Sequence, residues 1–347
     1  MTPGRSSLLT GILLMAVLCA PKSPAQNAPP PSLAKAQENF SAKHYKEAAT
    51  QSAWLAEHAL DPHLRLTAQL LEAKSLVNLP DLPAAEAVLD RYILATPRSS
   101  EALYLLGFVL QRENKPKESL AIYTRAAAIS PPQPNDLKLV ALDYVLLNDY
   151  PDAILWLKRS LDGDPANAEA WYFLGRAKMQ GGDFVEAEKA FRRALTLAPN
   201  DSRALDNLGL SLAAQNRTED AAQAYKDAIA SQPSDHATSE QPFLNLGTLL
   251  NDENHSSEAL PLLQRAAEIA PRSVRCQEEL SRAYLATGNQ PEAIASLQRA
   301  LALDGSNPSL HFRLGQLYRK AGMTEKATAE IQLSSRLYGT HSTAQPQ

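Results

Sequence analysis

Apolar and small residues recur along most of this chain at the spacing of one helix face. Trp171, Leu174, Gly175 and Lys178 lie at offsets 0, 3, 4 and 7, and three of the four are apolar or small. Ala187, Phe191 and Ala194 lie at offsets 0, 4 and 7. Residues so spaced line up on one side of a helix. Gly181-Gly182-Asp183 separates the two runs, and Pro199 closes the second. The pattern predicts a unit of helix, turn, helix and stop.

The unit recurs at a period of 34 residues. One period on, Leu205, Leu208, Gly209 and Leu212 form the first helix face, Ala221, Tyr225 and Ala228 the second, and Pro233 the stop. One period back, Leu137, Val140, Ala141 and Tyr144 precede Ala153, Leu157, Ser160 and Pro165. A further step gives Leu103, Leu106, Gly107, Leu110, Ser119, Tyr123, Ala126 and Pro131. The small residue of the second helix recurs at Ala48, Ala85, Ser119, Ala153, Ala187, Ala221, Ala259, Ala293 and Ala327. One interval is long, and it holds the four extra residues within Pro233–Glu240, expected as a looped-out insertion or a kink in the stack. Gly175 and Gly209 are expected where the two helices approach closely, so that a bulky side chain there would overpack the contact by about 1–3 kcal/mol.

A large residue, then Leu-Gly, then Ala, an aromatic, Ala and Pro is a pattern that resembles the tetratricopeptide repeat family. The resemblance runs over about residues 29–341 in nine copies: 29–62, 66–99, 100–133, 134–167, 168–201, 202–235, 240–273, 274–307 and 308–341. It implies an all-α fold, a right-handed superhelical solenoid of about nine tandem helix-turn-helix repeats occupying residues 32–341. The ends depart from the pattern. Ala36 and Ala73 stand where Gly is usual, Glu72 where Leu is usual, Ser281 replaces the eighth Gly, and Gly305 and Gly339 replace the last stop prolines.

The first residues follow another rule. Arg5 precedes Leu8–Ala20, an uncharged apolar run of 13 residues, and Ser23-Pro24-Ala25 offers small residues before Gln26. This is the architecture of a secretory signal peptide over 1–25. The run is short beside the roughly 20 residues of a spanning helix. A retained anchor is the alternative reading; lipidation at Cys19 is another, although Leu18 stands where the lipobox pattern calls for Gly or Ala. Residues 26–31 form a Pro-rich linker and 342–347 a short tail. Periplasmic location is expected first and secretion second, with membrane association only if the signal segment is retained or lipidated.

Composition narrows the chemistry. The 347 residues carry 34 Lys+Arg against 38 Asp+Glu, a formal charge of −4 without a basic block. Nucleic acid is therefore not an expected partner, because phosphate neutralisation needs clustered cations. Two cysteines, Cys19 and Cys276, cannot build a disulfide framework or a four-thiolate zinc site. None of the seven histidines shows the spacing of a zinc protease, and no phosphate loop or nucleophile elbow is present. No cofactor, no metal and no enzymatic activity are expected. Cys276 is expected to be a buried or half-buried thiol, and the acidic residues to lie on solvated faces.

In the family that this chain resembles, the second, fifth, ninth and twelfth residues of each repeat line a concave groove. On that basis Tyr104, Phe108, Leu142, Val145, Tyr172 and Met179 would form an apolar, aromatic zone, with Arg176 beside it. Arg275, Arg282 and Arg319, together with Arg313, would form a basic end suited to a carboxylate. Asn207 and Asn245, each before Leu-Gly, resemble asparagines that hold peptide backbone in some repeat proteins. Tyr172 and Arg176 stand where a chaperone-tail clamp needs Lys and Asn, which disfavours that ligand. The expected function is a non-enzymatic scaffold that binds a peptide segment or a partner helix in the groove. The alternative is a structural or self-assembling, homo-oligomeric subunit of an envelope, secretion or pilus assembly complex.

Overall fold

The computed structural model describes residues 30–233 and 237–342. The expected signal peptide, most of the Pro-rich linker and most of the tail lie outside the described residues, as does the tip of the insertion. All regular structure among the described residues is helical. Two compact units form, one up to Ala95 and one from Thr96. The first holds α1 (Leu33–Ser41), α2 (Tyr45–His58), α3 (Pro62–Asn78) and α4 (Leu82–Ala95). The second opens with α5 (Ser100–Arg112), α6 (Pro116–Ala127), α7 (Pro134–Leu146), α8 (Tyr150–Gly163), α9 (Ala168–Gln180) and α10 (Phe184–Leu197). It continues with α11 (Ser202–Ala214), α12 (Thr218–Ala230), α13 (Gln241–Asp252) and α14 (Ser256–Ile269). It closes with α15 (Val274–Ala286), α16 (Gln290–Leu303), α17 (Pro308–Lys320) and α18 (Thr324–Ser342).

Local chemistry sets the ends of these helices. Ser99, Asn167, Asp201, Ser273 and Asn307 each stand just before the first helix of a pair, and each side chain accepts a backbone amide from the first turn. Such caps satisfy donors that have no partner inside the helix. Between the two helices of a pair the backbone turns through the left-handed region at Asn114, Asn148, Asn216 and Asn254, with φ between 59° and 66°. Gly182 takes the same slot at φ 80°. Asn and Gly tolerate this conformation better than other residues.

The two helices of a pair meet at the predicted small residue. A methyl group added at Gly175 would lie 2.6 Å from the Phe191 ring, and at Gly209 2.5 Å from the Tyr225 ring. Gly107 faces Tyr123 in the same way. Thus the three aromatic residues of this slot all face glycine. In the same register Leu89, Leu157 and Leu297 stand opposite the larger Ala73, Ala141 and Ser281, although Gly247 and Gly315 also face aliphatic residues, Leu263 and Ile331. The Ser281 hydroxyl is accommodated by donating to the Ala293 carbonyl at 2.8 Å. Phe191 and Tyr225 are buried together with Ala204, Leu208 and Leu212, so the core runs continuously from one pair into the next.

Within the second unit the first helices also touch their successors: α5 meets α7, α7 meets α9, α9 meets α11, α11 meets α13 and α13 meets α15. Among the described residues no two successive second helices come together. The first helices therefore line the inner, concave side of this array. The insertion does not break it, because α12 packs on α13 and α11 on α13 across it. Gln232 pins the loop: its carbonyl oxygen accepts the amides of Thr238 and Ser239 at 2.8 Å, and its amide donates to the Ser239 carbonyl at 3.0 Å.

Candidate functional site

The concave side of α5, α7 and α9 carries the apolar positions singled out in the sequence. Tyr104 is half-buried, with its hydroxyl donating to the Ser130 carbonyl at 2.8 Å and its ring 6.1 Å from that of Tyr123. Phe108 is half-buried beneath the Arg112 guanidinium, 5.6 Å from the ring centre. Leu142, Val145 and Met179 are also partly exposed, and the last two pack their inner sides on neighbouring cores. Burial, and then Asp136, raise the Tyr104 phenol above its usual range.

Tyr172 departs from expectation. It is only 6% exposed and belongs to the core, with its ring 6.0 Å from Phe191. Two guanidiniums flank it, Arg203 at 5.0 Å and Arg176 at 5.9 Å from the ring centre. The approach of α11 to α9 brings Arg203 over the ring, and Arg203 is itself held by Asp201 at 2.8 Å. What this part of the groove presents is the half-buried Arg176, not an open aromatic face.

Most polar groove positions tie one first helix to the next. Gln111 of α5 donates to the Leu139 carbonyl of α7. Lys138 of α7, 7% exposed, meets Glu169 of α9 at 2.5 Å. Asn245 of α13 donates to Asp206 of α11 at 2.9 Å and receives Arg275 of α15 at 3.5 Å. Arg282 of α15 reaches Asp252 at 2.7 Å and the Thr248 carbonyl of α13 at 3.1 Å. Arg313 of α17 pairs with Glu278 of α15 at 2.8 Å.

The basic end is therefore largely neutralised by carboxylates of its own chain, and Arg319 is left exposed at its edge. The two asparagines do not form a row of equivalent amides. Asn245 is buried in its bonds to Asp206 and Arg275, while Asn207 donates to the Arg203 carbonyl of its own helix at 2.8 Å.

The acids do not all lie on solvated faces. Asp143 is fully buried, and burial pushes its carboxyl up to about 6, against hydrogen bonds from Ser119 and Gln111. Burial likewise raises Asp206 to about 6, with Asn245 and Arg275 opposing. A signal for Asp143 existed in the alignment of repeats, where Val109, Ala177, Ser211 and Ala283 fill the same slot. An acid among small or apolar residues is a core acid. Cys276 is a free thiol with no exposure, raised by desolvation. Trp171 is half-buried, and its indole donates to the Pro165 carbonyl at 3.0 Å. Trp54 stacks on His58, and Trp156 lies under Arg159.

Among the described residues no three His, Cys, Asp or Glu side chains are grouped to hold a metal ion. No helix of the described residues is long and apolar enough to cross a membrane.

Three family models match the chain. One for the cilia and flagella-associated protein 70 middle TPR-like domain covers residues 137–283, one for a TPR repeat 282–322, and one for a tetratricopeptide repeat 70–134. The PEX5-related protein of Mus musculus is 35% identical over 85 residues, which is 24% of this chain and 15% of that protein. A DnaJ homolog subfamily C member 7 homolog of Schizosaccharomyces pombe is 25% identical over 214 residues, 55% of this chain and 45% of that one. The chain thus spans less than half the length of either relative. A solved tetratricopeptide repeat protein from Parabacteroides merdae superposes with a TM-score of 0.56 at 18% identity, covering 78% of this chain and 98% of that one. Tetratricopeptide repeats are thus detected within residues 70–322, and the fold is an all-α array of helix pairs.

Proposed function

We propose that this chain is a non-enzymatic protein-interaction scaffold whose concave groove holds a peptide segment or partner helix. The observation that carries the reading is the contrast along the groove. At α13 to α17 the polar side chains are joined to one another across repeats, whereas at α5 to α9 Tyr104, Phe108, Leu142, Val145 and Met179 keep partly exposed apolar surface. A partly exposed apolar patch on a preformed concave face is the usual ground for helix or peptide docking. Arg176, beside that patch and half-buried, would orient an acidic or carbonyl group of the ligand.

Selection of displayed random peptides on the intact protein tests this. At least one class of the peptides chosen on the wild type should lose about tenfold or more of its affinity on the Tyr104→Ala/Phe108→Ala double variant, the scale of one or two interface anchors. Its helicity should be unchanged. Equal binding of every selected peptide by both proteins removes the groove from consideration.

We further propose that the chain is exported, with residues 1–25 removed and the periplasm as the first destination. Terminal sequencing of protein from an envelope fraction should read Gln26 first; a chain still starting at Met1 in that fraction overturns cleavage.

A further inference from the structure

On the side of the array opposite the groove, α8, α9 and α10 enclose an open cavity of about 610 Å³. We propose that this cavity is a second binding site, and that its occupant is an acidic peptide segment of a partner protein carrying an apolar side chain beside the acid. The inference is independent of the concave groove and stands or falls without it.

The cavity coincides with a departure from the repeat pattern in the sequence. Its floor is formed by Trp171, Leu174 and Lys178 of α9. In the register of Lys178 every other repeat of the second unit places a large apolar or aromatic residue: Leu110, Tyr144, Leu212, Leu250, Tyr284 and Tyr318. Leu212 and Tyr318 show what that residue does, since both are almost fully buried between helices. Lys178 occupies that register with a charged side chain that is mostly packed, 19% exposed. Its ammonium is drawn to Asp183 at 2.9 Å, at the start of α10, and the space above Trp171 and Leu174 stays open.

The charge of the walls then selects the occupant. Lys158 of α8 and Arg193 of α10 stand at the rim, both exposed. Neither has an acidic partner among the described residues; Arg193 reaches only the Thr196 hydroxyl, at 3.4 Å. Lys189 is already paired with Glu186 at 2.5 Å, which leaves Asp162 as the one lining acid to oppose the two rim cations. An apolar floor beneath two unpaired cations fits a side chain such as leucine or phenylalanine on Trp171 with an aspartate or glutamate next to it. Carboxylate recognition by Lys and Arg over an aromatic surface is favourable, and a basic ligand would meet like charge.

The test uses displayed random peptides on the intact chain, compared across three variants. Peptides with an acid next to an apolar residue should be selected. They should bind the Tyr104→Ala/Phe108→Ala variant as well as the wild type. They should lose about tenfold or more on Lys158→Glu/Arg193→Glu, where both changes are at exposed sites and the fold is not at risk. In a Trp54→Phe/Trp156→Phe background the remaining indole, Trp171, should report binding as a shift of its emission to shorter wavelength. Selection of no acidic peptides overturns the proposal. So does binding that survives Lys158→Glu/Arg193→Glu, or that leaves Trp171 emission unchanged.

Discussion

Replacing Gly209 by alanine should lower stability by about 1–3 kcal/mol, and much of that loss should vanish when Tyr225 is already leucine. The added methyl carbon would lie 2.5 Å from the Tyr225 ring, closer than carbon atoms pack. Neither partner can retreat easily. Tyr225 is 2% exposed and is enclosed by Ala204, Leu208, Ala221 and Leu246. Interiors packed to this density answer an extra methyl by shifting side chains or backbone. The chain itself supplies the remedy. In the fourth repeat Ala141 stands opposite Leu157, and both are fully buried in one cluster. Tyr225→Leu on its own removes aromatic surface and is also destabilising. The informative quantity is the coupling in the double-variant cycle, expected at about 1–2 kcal/mol in favour of the Ala–Leu combination. Urea unfolding followed by circular dichroism measures it. Additive losses would mean that the glycine is not there to admit the ring.

The second large effect concerns Asp143. Its carboxyl is held near 6 rather than 3.8, so the folded chain binds this proton more tightly than the unfolded chain does. The proton geometry agrees. The Ser119 oxygen lies 2.8 Å from the Gly107 carbonyl and 2.6 Å from Asp143 Oδ2. One hydroxyl has one proton to donate. When Asp143 is protonated, it can donate to Ser119, and Ser119 can donate to Gly107. When it is ionised, Ser119 must serve one acceptor and leave the other.

Ionisation of Asp143 therefore weakens the fold. Its contribution is most favourable below about pH 4, declines as pH rises through about 6, and is constant above that. A difference of about two pH units between the folded and unfolded values corresponds to about 3 kcal/mol. Acids held below their usual range by cationic partners, such as Asp183 and Asp201, act in the opposite direction, so the whole-chain pH profile mixes the two. The difference between wild type and Asp143→Asn isolates the buried acid. The asparagine chain should gain on the wild type by about 3 kcal/mol between pH 3.5 and pH 7. Parallel stability curves over that range would show that Asp143 is not a buried acid of raised pKa.

Several features of the groove and core were open to sequence reading, and others were not. The glycine slots and the turn positions are legible because each depends on residues within one helix pair. Gly175 and Gly182 need only residues of their own pair. Cys276 was readable as a packed thiol for the same reason, lying on the apolar face of its helix. Tyr172 and Arg282 were not readable. The first is covered by Arg203 of the following repeat, and the second is turned toward Asp252 and Thr248 of the preceding one. Nothing in the periodicity of a single helix reports which side chain of the next repeat will arrive above it. Asp143 lies between these cases. Its slot in the repeat register carries a core signal, yet acids were expected on solvated faces, and its acceptance of Ser119 from the previous repeat emerged only from packing.

The amino-acid sequence by itself determined that this chain folds as tandem helix pairs, where each pair begins and turns, and which residues are small so that the helices can meet. These follow from interactions over three to sixteen residues, repeated in register. The tertiary structure decided which groove residues remain open to a ligand, which arginines are consumed as cross-links, and that a cavity opens beside Trp171 between α8, α9 and α10. Those outcomes depend on how closely successive first helices converge. That distance is set by the packing of whole side chains between repeats, and no spacing along the chain encodes it directly.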